Sequence, residues 1–144
     1  MPLPTFKTPT EKRSLNMAKM RSGDTKPEMS VRRIVHAAGF RYRLHRSDLP
    51  GKPDIVFVKY RRVVLVHGCF WHGHNCARAH TPRTNVEYWS AKIAGNIQRD
   101  SKNVRFLRKA GWRVTVIWEC SAGAGTSRLM RALEREKANQ NHVQ

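Results

Sequence analysis

Two short apolar runs, Ile55-Val56-Phe57-Val58 and Val63-Val64-Leu65-Val66, constrain the fold of this chain more than any other feature. A strand that is apolar at nearly every position has both of its faces covered. These two runs are therefore expected to be central strands of a sheet flanked by helices.

The neighbouring segments supply the rest of that architecture. Thr25-Lys26-Pro27-Glu28 reads as a capping box, with Thr25 bonding forward and Glu28 bonding back. Val31, Ile34, Val35 and Ala38 follow at helical spacing, and Gly39 supplies the stop. Phe40, Tyr42 and Leu44 alternate with Arg41, Arg43 and His45, the period of a half-buried strand. A second capping box, Thr84-Asn85-Val86-Glu87, opens a long helix with Val86, Trp89, Ile93, Ile97 and Val104 on its apolar face. Gly111 ends it, Trp112 to Glu119 form another strand, and Leu129 with Leu133 mark a short last helix. The expected order is αβββαβα, an α/β fold with a mixed sheet flanked by helices. One domain, residues 14–138, suits a chain of 144 residues. A basic, proline-containing arm (1–13) precedes it, and a polar tail (139–144) is expected to fray.

Charge narrows the partner. The chain has 28 Lys and Arg against 10 Asp and Glu, a formal net charge of +18. Binding a polyanion would offset the self-repulsion that such an excess brings. A non-catalytic DNA-binding protein satisfies that condition as well as an enzyme does. No apolar run approaches the roughly 20 residues that span a bilayer, and no secretory h-region is visible at the start, so a cytoplasmic location is expected. Three cysteines cannot form a fully paired disulfide framework, and clustered reduced thiols point to metal.

Four constellations could carry chemistry. Asp54 opens an apolar strand, where a carboxylate is costly unless it is paired or holds a cation. Magnesium needs only one or two carboxylates besides water and phosphate oxygens; the plainer alternative is an Asp that bonds local backbone N–H groups. Cys69, Cys76 and Cys120, with a histidine, could close a tetrahedral structural zinc site. Spacing leaves His72 and His74 both eligible. Asp100 falls on the apolar face of the long helix and needs a partner there, a histidine or an arginine, with Asn96 one turn earlier. Phe70 and Trp71, with Trp89, could wedge between base steps, although Trp89 suits a core equally well; Trp112 and Trp118 read as core.

The αβββαβ order with an aspartate opening the second strand resembles the restriction-endonuclease-like core. That core usually carries an acidic-x-lysine element on its third strand. Here the strand reads Val64-Leu65-Val66-His67, so another group must do the lysine's work.

In order along the chain come Arg13-Ser14-x-Asn16-Met17, Asp24-Thr25-x-x-Glu28 and Leu49-Pro50-Gly51-Lys52-Pro53-Asp54. Then follow His67-Gly68-Cys69-Phe70-Trp71-His72-x-His74-x-Cys76, Trp89-x-x-Lys92-Ile93-x-x-Asn96-x-x-Arg99-Asp100 and Gly111-Trp112-Arg113-Val114 to Trp118-Glu119-Cys120. This ordered set, covering residues 13 to 120, resembles the very-short-patch-repair (Vsr) endonucleases. The resemblance implies a bacterial, nucleoid-associated, magnesium-dependent enzyme, expected as a monomer. It would nick duplex DNA 5′ to the thymine of a T·G mismatch, with mismatch-repair proteins as candidate further partners.

By position, Asp54 would hold magnesium, joined by the Val66 backbone carbonyl, and His72 would be the base, oriented by Asp100. His67 would sit at the scissile phosphate and Glu28 would support catalysis. Cys69, His74, Cys76 and Cys120 would bind zinc. Phe70, Trp71 and Trp89 would intercalate, and the segment with Asn16 and Met17 would close over the DNA, with Asn96 also placed on the DNA side. Val66 stands where the family often has threonine. Gly73 stands where it has histidine, and is expected to spare the ligands and loosen the loop. The rival readings are a zinc-stapled DNA-binding module without turnover and a related defence nuclease acting on unmismatched or modified DNA.

Overall fold

The computed structural model describes residues 24–76 and 82–143; the arm 1–13, Asn16 and Met17 lie outside them. The order is α1 (Lys26–Ala37), β1 (Arg43–Leu44), β2 (Ile55–Phe57), β3 (Arg62–His67), α2 (Val86–Lys109), β4 (Arg113–Trp118) and α3 (Ala122–Val143). This is the expected αβββαβα sequence. The four strands form one sheet in the order β1-β2-β3-β4. β1–β2 and β2–β3 pair antiparallel, whereas β3 and β4 pair in parallel from Arg62↔Arg113 to His67↔Trp118. The sheet is mixed and flanked by helices.

Both faces of the central strands are covered, as the apolar runs require. Ile55, Phe57 and Val64 pack with Val31 and Val35 of α1 and Leu129 and Leu133 of α3. The alternate residues Val56 and Val63 pack with Leu107 of α2 and with Trp112. At about 25 cal/mol per Å² of apolar surface, these two layers supply the main driving force for folding. Among the described residues, no helix is long and apolar enough to cross a membrane.

Several expectations need correction. The Phe40–Leu44 strand shrinks to Arg43–Leu44, although Phe40 is buried and Tyr42 packs beside it. Ile34, Val86 and Ile97 are exposed rather than core. Asn85, in a left-handed conformation, is the N-cap of α2 in place of Thr84. The last helix is 22 residues long and runs through the stretch expected to fray. Side-chain fastening explains the difference: Gln140 Nε2 donates to the Lys59 carbonyl at 2.8 Å. Further up the helix, the buried Glu136 accepts from Arg62 Nε and Nη2 (2.9 and 2.6 Å) and forms an ion pair with Arg113 Nη1 (3.0 Å). One carboxylate thus ties the starts of β3 and β4 to α3.

Two glycines should respond oppositely to substitution. A Cβ on the buried Gly125 of α3 would stand 2.9 Å from Ile117 Cγ2, whereas one on Gly95 in mid-α2 meets nothing within 4 Å. Gly125→Val should cost about 1–3 kcal/mol through overpacking, and Gly95→Ala should gain roughly 0.5–1 kcal/mol of helix propensity. Urea denaturation of both variants checks the pair of signs.

Candidate active site and metal centre

Because β3 and β4 run parallel in register, the segments leaving their C-terminal ends emerge side by side. Residues 68–76 follow β3 and residues 119–121 follow β4, so Cys69 and Cys120 converge. The ligand atoms of Cys69, His74, Cys76 and Cys120 all lie within 4.8 Å of one another, and Cys120 Sγ is 3.5 Å from His74 Nδ1. A tetrahedron with bonds of about 2.0–2.3 Å has edges of about 3.3–3.8 Å, so the group fits a metal ion. The chemistry of the donors agrees. Burial, then the neighbouring Cys76 and Cys120, push the Cys69 thiol up to about 11, and a bound cation reverses that cost by favouring thiolate.

His72, the competing imidazole, turns the other way. Its Nδ1 lies 2.6 Å from Asp100 Oδ2, and its ring stacks on His67 at 3.8 Å and 5°. Two imidazoles in such contact do not readily both carry charge. Burial first, then His72, depress His67 to about 4, so at neutral pH His67 is uncharged. Its Nδ1 is buried without a hydrogen-bond partner among the described residues.

Asp54 faces this pair across a cleft of about 540 Å³ that His67, His72, Asp100, Val66, His45, Lys52 and Asn103 also line. The position of Asp54 is set by strand pairing: its N–H donates to the Val64 carbonyl and its carbonyl accepts from the His45 N–H, both at 3.1 Å. Its Oδ2 accepts the Val66 N–H at 2.7 Å. Burial, then the charge and hydrogen bonding of Glu28, raise the Asp54 carboxyl to about 7. The excess of buried carboxylate is a site that a divalent cation suits.

Glu28 departs from the capping box. Thr25 does accept from the Glu28 N–H, at 3.4 Å. The Glu28 carboxylate instead meets His45 Nε2 at 2.9 and 3.1 Å and Arg32 at 3.3 Å. It is 1 % exposed, and these two side-chain partners hold it in place of a local backbone bond.

The aromatic residues form one cluster, with Phe70, Trp71 and Trp89 centroids 5.0–5.5 Å apart. Phe70 and Trp71 are half-buried, and Trp89 is buried behind them. Asn96 Nδ2 donates to the Trp71 carbonyl at 2.9 Å and so braces the loop. Gly73 lets that loop approach α2 closely. With φ at +66, a Cβ there would come within 2.5 Å of Ile97 Cδ1.

Sequence reasoning missed His45, Asn103 and the role of Trp118. His45 sat on the polar phase of an alternating strand, whereas Asn103 lies one turn after Asp100 on the same helix face, a signal that could have found it. Trp118, read as core, stacks on His74 at 4.2 Å and meets His67 edge-on at 5.2 Å; its register opposite His67 was the clue.

A buried carboxylate, a His–Asp pair and a stacked second imidazole in one cleft of a strongly cationic α/β protein are groups from which a hydrolytic site acting on a polyanion can be built. Comparison with known proteins narrows the class. The profile of the family "DNA mismatch endonuclease Vsr" matches residues 6–78. The chain is similar to the type II nicking enzyme V.XorIIP of Xanthomonas oryzae pv. oryzae, 47% identical over 86% of this chain and 93% of the relative. The type II nicking enzyme V.NmeAIP of Neisseria meningitidis is 50% identical over 77% and 79%. The DNA mismatch endonuclease Vsr of Escherichia coli is 39% identical over 76% and 70%. The chain belongs to the DNA mismatch endonuclease Vsr family, and is a DNA-binding, DNA-nicking hydrolase of that kind.

The Asp54 environment has a pH signature. An unfolded aspartate ionises near 3.8, the folded one near about 7, so the folded state holds the extra proton between them. Stability from this group is present below the lower value and lost as pH rises through the upper one. Without divalent ions, the melting temperature of wild type relative to Asp54→Asn should fall from about pH 4 to about pH 8. A flat difference would remove the buried-acid description.

Proposed function

We propose that this protein nicks one strand of duplex DNA 5′ to the thymine of a T·G mismatch, on a restriction-endonuclease-like core stapled by zinc. The observation that carries the reading is the meeting of Asp54, His67 and the His72–Asp100 pair in one cleft. Magnesium held by Asp54, with the Val66 backbone carbonyl beside it, would neutralise charge on the phosphate. His72 takes the proton from the attacking water, and Asp100 fixes its tautomer and raises its basicity. His67, neutral and stacked on His72, offers a ring nitrogen to the scissile phosphate. The His–Asp base thereby replaces the lysine absent from β3. Glu28 supports Asp54 from below. Phe70 and Trp71, with Trp89 as their backing, wedge beside the mismatch, where unstacking is cheapest. Cys69, His74, Cys76 and Cys120 hold zinc and fix the loop that carries His72.

Two experiments test this. Protein purified without added metal should contain about one zinc per chain. Cys120→Ala should lose it and unfold at lower temperature, whereas His72→Ala should keep it and lose nicking; zinc loss in His72→Ala would exchange the two histidines' roles. In the second, nicking is compared on T·G and T·A duplexes at moderate salt. The nonspecific term falls with log salt and does not separate the two, so the T·G preference must come from the wedge. Trp71→Ala should lower the T·G rate by roughly tenfold or more while nonspecific affinity changes little. Equal wild-type rates on both duplexes would point to a nicking enzyme indifferent to the mismatch.

A further inference from the structure

His45 is one of five non-glycine residues with positive φ among the described residues, at 46°. A side chain in that region is strained, and such strain collects where surrounding structure demands it. The demand is visible on both sides of the residue. Its main-chain N–H donates to the Asp54 carbonyl at 3.1 Å, and its imidazole Nε2 spans both oxygens of Glu28 at 2.9 and 3.1 Å. Neutralising Glu28 does not require this arrangement, because Arg32 already lies 3.3 Å from one oxygen. Arg32 approaches that oxygen alone, so His45 is the group that fixes the plane of the carboxylate. The ring is half-buried on the cleft wall.

We propose that His45 is the positioning residue of the Glu28–Asp54 carboxylate pair, one left-handed residue clasping Asp54 through its main chain and Glu28 through its side chain. The proposal rests on the reading of Asp54 as the site of the divalent cation. Without the clasp, Glu28 keeps only the 3.3 Å contact of Arg32 to one oxygen, and Arg32 is itself held by Asp24 at 2.6 Å, so nothing fixes the plane of the carboxylate or its separation from Asp54. Residues that orient a ligand in this way change metal affinity and turnover together.

The test uses the full chain with His45→Gly and His45→Gln. Glycine suits the left-handed backbone and keeps the N–H to Asp54, so it removes the imidazole alone. Glutamine returns a donor at the same reach. Both are neutral, so their difference reports geometry and not charge. Mn2+ affinity is read from the free-ion electron paramagnetic resonance signal, nicking from single-turnover rates, and duplex affinity in chelator. His45→Gly should weaken Mn2+ binding and slow nicking by about 10-fold or more, with duplex affinity in chelator within about twofold of wild type. His45→Gln should recover most of both losses. A glycine variant within about twofold of wild type in Mn2+ affinity, or a glutamine variant no better than glycine, overturns the proposal. If wild type nicks no duplex, the proposed function fails, while the Mn2+ comparison still decides whether His45 acts as the clasp.

Discussion

The parallel pairing of β3 with β4 is the constraint on which the site depends. Its six-residue register sets His67 opposite Trp118, so whatever follows each strand leaves the sheet at the same edge. Parallel neighbours need a crossover, and here the crossover contains α2, which brings Asp100 over the strand ends. Cysteines just past each strand close the arrangement from above, and Asp54, hydrogen-bonded to Val64 and Val66, closes it from the side. The site is a sheet edge, a crossover helix and a tied loop, each oriented by one backbone ladder.

Charge is distributed to the same end. Asp24, Asp54 and Asp100 line the cleft, with Glu28 buried beneath it, although the chain has only 10 acidic residues against 28 basic ones. At the opposite end of β3 and β4, Glu136 holds Arg62 and Arg113. Anions are spent where they hold something in place, and the remaining cationic surface is left to meet a polyanion.

How much of this was legible depended on the kind of signal. The strands β2 and β3 are apolar on both faces, so their burial was readable, and the αβββαβα order followed. The convergence of Cys69 with Cys120 also followed from strand ends. The division between His72 and His74 did not: two residues apart in a loop, they part only in three dimensions, His72 to Asp100 of α2 and His74 to Cys120 beyond β4. Local spacing reads Glu28 as a cap and the family resemblance gives it a supporting role in catalysis; its carboxylate in fact meets a distant histidine, which spacing could not show. The length of α3 was hidden because glycines at 123 and 125 and a polar C-terminal end look unlike helix. Packing of Gly125 against Ile117 and the anchors at Glu136 and Gln140 override propensity.

Gly73 and Ile97 are not independent letters of this sequence. The loop carrying His72 and His74 approaches α2 so closely that any side chain at position 73 would occupy the space of the isoleucine. A larger residue at position 73 would have to displace the ends of Ile97 and Ile93, and only the exposed Ile97 has room to turn aside. Loop and helix thus share one small volume, and a graft of this loop onto a related scaffold brings the shape of that helix face into play.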